Sequence, residues 1–216
     1  MEVIVEASAY KTLRAFGWQE FVEKKSRFIG CGSPAADEAS ALAFLAEIRA
    51  RYKDANHHCY AYIVGRNAGI MRYSDNGEPG GTAGMPILGV MRARGVTDCA
   101  VVVARYFGGV LLGAGGLARA YAKGAAAALD AAGVVVMRRT HRYLAEIPYP
   151  LWDRTAHALG AFPCEIEQQE FTDRVTLTLR AREADAPELL ALLARVTDGR
   201  AETLLEEEFY GGWEEI

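Results

Sequence analysis

The sequence predicts an α+β protein of two small domains, residues 1–136 and 137–216. Three observations lead there. Just over half of the 216 residues are apolar (51%), enough for packed cores and too many for a disordered chain. Beyond Val136 the pattern runs β-α-β-β-α-β over about 75 residues, the split βαβ succession of a ferredoxin-like domain. Before it, the apolar run Ala100-Val101-Val102-Val103-Ala104 feeds a glycine-dense loop and then a helix, as expected of a strand covered on both faces.

The elements follow in order. Residues 26–33, after the basic pair Lys24-Lys25, form a short strand. From Asp37 to Tyr52 the residues Ala41, Leu45, Ile48 and Tyr52 step by four, three and four, the buried face of a helix. Arg49, Arg51 and Lys53 near its C-terminal end suit the helix dipole. Residues 58–64 alternate as a strand, turn at Asn67-Ala68-Gly69 and return over residues 70–73. Pro86 suits the first turn of a helix reaching about Arg94, with Thr82 as a candidate cap and Gly95 as its end. Leu117, Ala120, Tyr121, Gly124, Ala125, Ala128 and Leu129 mark one face of a later helix that Gly133 closes. The second domain reads as strand 137–148, helix 150–160, strands 163–170 and 174–180 around Thr172-Asp173, helix 184–196 and strand 201–209. No repeat or low-complexity linker separates the domains, so the boundary rests on the change of pattern.

Composition narrows the function classes. No stretch approaches the roughly 20 apolar residues of a membrane span. Residues 1–6, Met-Glu-Val-Ile-Val-Glu, have neither the basic nor the apolar part of a signal peptide. Cys31, Cys59, Cys99 and Cys164 lie far apart, neither zinc-spaced nor a disulfide framework, and are expected to be reduced thiols. A cytoplasmic protein without membrane contact, cofactor or metal is expected. The net charge of −4 argues against a strongly basic nucleic-acid binder, yet residues 1–136 carry +3 and residues 137–216 carry −7.

The segment 105–121 holds five glycines between a buried strand and a helix. Gly108, Gly109, Gly113, Gly115 and Gly116 let a ligand approach the backbone, and unpaired N–H groups at a helix start favour an anion. Arg105 and Arg119 sit where each can add a charge-assisted contact, with Tyr106 between them. No dinucleotide fingerprint or GK[ST] follows, and a tight structural connection explains the same glycines. In segment 73–84, Asn76-Gly77 and Pro79-Gly80 signal turns, and Asp75 and Glu78 are two carboxylates on one loop. Together with His57 they are the candidate acid/base groups, although turn chemistry alone produces such pairs. Alternation on the strand puts His57 and His58 on opposite faces and sets Cys59 opposite His58.

Four segments in this order, Lys24-Lys25-Ser26-Arg27-Phe28, Asn56-His57-His58-Cys59-Tyr60-Ala61-Tyr62, residues 74–84 and residues 105–121, resemble the IMPACT family. The second domain makes the chain similar to its bacterial YigZ-like members. Gly80 stands where members often carry serine, removing a hydroxyl from that loop. The resemblance implies an N-terminal domain with the fold of a ribosomal protein's second domain, beside a ferredoxin-like domain, a pair also found in elongation factor G. It also implies a link to translation and adds Lys25 and Arg27 to the anion-contact set. The expected function is a non-enzymatic protein that binds RNA, the ribosome or a translation-related protein, with Tyr106, Phe107 and Tyr121 available to stack on bases. The alternatives are an enzyme acting on a phosphorylated metabolite or nucleotide, as in small-molecule kinases that share the implied fold, and a pure protein-interaction module. The enzyme lacks a recognisable phosphoryl-transfer set.

Overall fold

The computed structural model describes residues 9–214; residues 1–6 and Glu215 of the acidic end lie outside them. The chain divides into a unit ending at Val136, which also takes in Glu214, and a unit Met137–Trp213. The first holds β1 (Ala9–Leu13), β2 (Gly17–Glu23), β3 (Ser26–Pro34), α1 (Glu38–Arg51), β4 (His57–Val64), β5 (Ile70–Ser74), α2 (Gly84–Arg94), β6 (Cys99–Tyr106) and α3 (Ala114–Ala132). The second holds most of β7 (Val134–Ile147), then α4 (Trp152–Gly160), β8 (Cys164–Phe171), β9 (Val175–Arg182), α5 (Ala186–Val196) and β10 (Glu202–Trp213).

Strands β2-β3-β6-β4-β5 form an antiparallel sheet in that order, with β6 central. The apolar run on β6 is divided by the pleat. Val101 and Val103 pack with Ile87 and Met91 of α2 and Leu117 and Tyr121 of α3. Ala100, Val102 and Ala104 pack with Phe44, Leu45 and Ile48 of α1 on the other face. Each such fully buried Leu, Ile or Val contributes roughly 1.5–3 kcal/mol, so both faces of β6 are strongly held. Gly124 inside α3 and Gly30 of β3 let the helix lie close on the sheet: a Cβ on Gly124 would stand 2.9 Å from Val103 Cγ1, and one on Gly30 2.1 Å from the Gly124 carbonyl oxygen.

Helix α1 begins with a capping box: Ser40 N–H donates to Asp37 Oδ1 at 2.7 Å while Asp37 N–H donates to Ser40 Oγ. Helix α2 differs from its expected form. It starts at Gly84 rather than near Pro86, and Thr82 does not cap it; the Thr82 hydroxyl donates to the Pro79 carbonyl at 2.7 Å. Strands β1 and β2 were not anticipated.

In the second unit the sheet order is β10-β7-β9-β8, with β7–β9 and β8–β9 antiparallel, the arrangement of a split βαβ domain. Val175, Leu177 and Leu179 alternate toward a core shared with Leu159 of α4 and Leu189 and Leu193 of α5. The opposite parity carries Thr176, Thr178, Arg180 and Arg182.

Candidate functional site

Strand β6 ends at Arg105 and Tyr106 between β3 and β4, with Arg105 opposite both Phe28 and His57. Arg105 shares the parity of Val101 and Val103, so its side chain turns toward α3 and is buried, 5% exposed. Arg105, expected at the surface as an anion contact, is therefore no free cation. Its Nη1 donates to Glu78 Oε1 at 2.7 Å and its Nη2 to Ser26 Oγ at 3.3 Å, and its guanidinium lies over the Phe28 and Phe107 rings. Glu78 has 4% of its side chain exposed and also accepts from the Tyr121 hydroxyl at 2.7 Å. Tyr121, expected as a stacking platform, has no exposed surface; burial foremost, then the neighbouring Cys59 and Glu78, raises its hydroxyl pKa.

The loop 74–84 is held by Asp75. Its carboxylate accepts from Gly81 N–H at 2.8 Å, Ala83 N–H at 2.9 Å and Gly84 N–H at 2.8 Å, supplying the cap that α2 lacks from Thr82. Burial works to raise the Asp75 pKa, but the three N–H groups outweigh it and the net direction is down. His57 Nδ1 lies 2.9 Å from the Asn76 carbonyl oxygen. A carbonyl only accepts, so Nδ1 carries the proton and Nε2 faces Glu78 at 4.0 Å. His58 points to the other side of the sheet and bonds the Tyr52 carbonyl through Nε2; burial, the largest cause, lowers its pKa. Cys59 Sγ donates to the Asp75 carbonyl, and burial pushes its thiol up to about 12, unsuited to a nucleophile. Of the three candidate acid/base groups, His57 and Glu78 thus come together, while the Asp75 carboxylate is engaged by the amides at the start of α2. Among the described residues, no three His, Cys, Asp or Glu side chains come together as metal ligands, and no helix is long and apolar enough to cross a membrane.

The glycine-rich loop 107–113 is fixed at its start. Phe107 N–H donates to Asn56 Oδ1 at 2.7 Å and Gly108 N–H to Ser26 Oγ at 3.2 Å. Gly108 is obligatory in this packing, because a Cβ there would stand 2.0 Å from the Lys25 carbonyl oxygen. Lys24 and Lys25 form the turn between β2 and β3, both with positive φ (43° and 66°), where Asn-Gly would be unstrained. Gly109 and Gly113 also have positive φ, and no side chain caps α3 after Gly113, leaving the amides near Gly115 and Gly116 without a side-chain acceptor. Arg119 reaches back over this first turn, its Nη1 3.5 Å from where a Cβ on Gly115 would lie. A cavity of about 240 Å³ opens between the β2–β3 hairpin and α3, lined by Lys24, Gly116, Arg119 and Lys123, with Glu23 and Leu112. Among the described residues Lys24, Lys25 and Arg119 form no ion pair. Arg27 is paired with Glu20 at 3.3 Å and lies over the Tyr106 ring, and Lys123 lies over the Phe21 ring. Lys24 and Lys123 join the cationic group beyond the residues expected; Lys123 sits one helical turn after Arg119, a spacing visible in the sequence.

Fold and site define a two-unit α+β protein with a buried polar clamp beside an exposed cationic rim. Residues 24–129, which include the clamp, match the Impact N-terminal domain, and residues 146–200 match a domain of unknown function (DUF1949). Over 163 residues the chain is 40% identical to IMPACT family member YvyE of Bacillus subtilis (strain 168), covering 76% of this chain and 72% of that protein. Over 189 residues it is 35% identical to IMPACT family member YigZ of Escherichia coli (strain K12), covering 86% and 92%. A crystal structure described as that of an hypothetical protein is similar over 93% of this chain and 98% of its own, with 32% identity and a TM-score of 0.59. The chain belongs to the IMPACT family.

Proposed function

We propose that this is a cytoplasmic, translation-linked binding protein without catalytic activity. It holds the phosphate backbone of RNA or the ribosome on the rim formed by Lys24, Lys25, Arg119 and the backbone of Gly113, Gly115 and Gly116. The observation that supports it most is the set of three cations that form no ion pair among the described residues, two of them, Lys24 and Arg119, lining with Glu23 a cavity at the start of α3. Family membership supports the link to translation. So few cations give modest affinity whose salt dependence follows the number of contacts, with a log–log slope of about −0.7 per single-strand phosphate contact. Phe107, which is exposed, remains available to stack on a base.

Co-sedimentation with ribosomes at low and near-physiological salt tests this. Wild type is expected to pellet at low salt, and Lys24→Ala/Arg119→Ala to stay in the supernatant while folded. Equal pelleting of the two removes the rim from the interface. No pelleting of wild type at either salt sinks direct ribosome binding. The cavity volume also suits a small phosphorylated metabolite, so a phosphate-ester and nucleotide screen by thermal shift then decides for the enzyme reading.

A further inference from the structure

We infer that Glu78, Arg105 and Ser26 form a positioning relay, which sets the Lys24-Lys25 turn and anchors the glycine-rich loop at Gly108 so that the rim is in place for the anion, without touching it. This rests on the binding surface proposed above. Glu78, itself held by the Tyr121 hydroxyl, fixes one edge of the Arg105 guanidinium, and Nη2 then meets Ser26 Oγ. The same oxygen accepts from Gly108 N–H. Ser26 has no exposed surface and directly follows the two lysines in left-handed conformation, which non-glycine residues adopt only under constraint. The Lys25 carbonyl is also the group against which Gly108 packs. One buried hydroxyl therefore ties the strained turn that presents Lys24 to the first glycine of the glycine-rich loop. Among the described residues, the loop 74–84, remote in sequence, reaches that hydroxyl through Arg105. Strained non-glycine backbone persists where its surroundings over-determine it, and the relay is that surrounding here.

The relay and simple charge counting predict effects of opposite sign. Glu78→Gln removes a negative charge near a cationic rim, so Coulomb attraction alone predicts tighter binding of a uridine homopolymer. The relay predicts binding about tenfold weaker, the loss expected from one charge-assisted bond. Ser26→Ala alters no charge and no exposed surface, yet the relay predicts a loss of similar size. Hydrogen exchange reads the relay without any ligand. In Ser26→Ala the Gly108 amide should exchange about tenfold faster, while the Phe107 amide, held by Asn56, changes much less. Should Glu78→Gln prove unstable, Ser26→Ala decides alone. Unchanged Gly108 exchange in Ser26→Ala, or binding by either folded variant equal to or tighter than wild type, overturns the relay. If wild type does not bind the homopolymer at low salt, the binding surface falls, and the exchange measurement still decides whether these residues organise the turn and loop.

Discussion

The two units use charged residues in opposite ways. In the first, Glu78 and Arg105 form an ion pair at 2.7 Å with 4% and 5% of their side chains exposed. In the second, Arg142 lies between Glu167 and Glu207, and Arg174 between Glu146 and Glu202, all at least a quarter exposed. Exposed pairs contribute about 0–1 kcal/mol, and a buried pair recovers its desolvation only with good geometry and extra hydrogen bonds. Glu78 has Tyr121 as a further donor and Arg105 has Ser26 as a further acceptor, whereas Arg105 Nε has no partner. The buried pair is thus better understood as the organiser of three chain segments than as a source of net stability. The charged strands β8 and β10 do a different job: carboxylates along the edges of a sheet discourage pairing with another chain.

The sharpest way to break this contrast is Arg105→Ala. It leaves Glu78 buried with Tyr121 as its remaining close donor, and breaking a buried pair on one side costs about 3–5 kcal/mol. Arg105→Lys should recover little, because a single ammonium cannot reproduce the fork between Glu78 and Ser26. Denaturant midpoints measure both. A loss below about 1 kcal/mol for Arg105→Ala would put the pair in the class of the exposed ladders.

Asp75 comes next. Asp75→Asn keeps the shape but weakens acceptance of three backbone N–H groups, with an expected loss of about 1–2 kcal/mol, as for a strong helix cap. Its folded pKa lies below the ordinary value near 3.9. The stabilisation is therefore complete above about pH 4 and fades as pH falls through the lower folded pKa. Melting temperature against pH should show this acid limb in wild type and a flatter one in Asp75→Asn. Identical limbs would mean that Asp75 is not the group that caps α2.

What was legible in the sequence follows how local each cause is. Helix α1 announced itself because Asp37 and Ser40 lie inside one turn, and β6 because an apolar run needs only its own residues. The pleat placed His57 and His58 on opposite faces in advance. Strand β2 was missed because it is an edge strand, exposed at most positions, with Trp18 and Val22 facing solvent and no clean alternation. The start of α2 was missed because its cap, Asp75, acts from nine residues away across a loop. Parity from Val101 and Val103 would have turned Arg105 inward, but its partner Glu78 is 27 residues distant, and only the fold reveals it. Tyr121 was assigned both to the buried helix face and to an exposed stacking platform; the periodicity was the better guide.

The smallest effect belongs to the second unit, and its smallness is the point. Arg174 Nη1 donates to Glu202 Oε1 at 2.6 Å, but the Glu202 side chain is 72% exposed. Water solvates that carboxylate well, and holding two long side chains in one geometry costs entropy. Glu202→Gln should therefore change stability by less than about 1 kcal/mol, and the change should shrink further in high salt. Arg174 keeps contacts to the Glu146 and Arg200 carbonyls, so its stem stays in place. A chemical denaturation series in urea, which leaves ionic strength adjustable, measures this directly. A salt-insensitive loss comparable with that of Arg105→Ala would show that the charged ladder is desolvated in solution, and the contrast between the units would disappear.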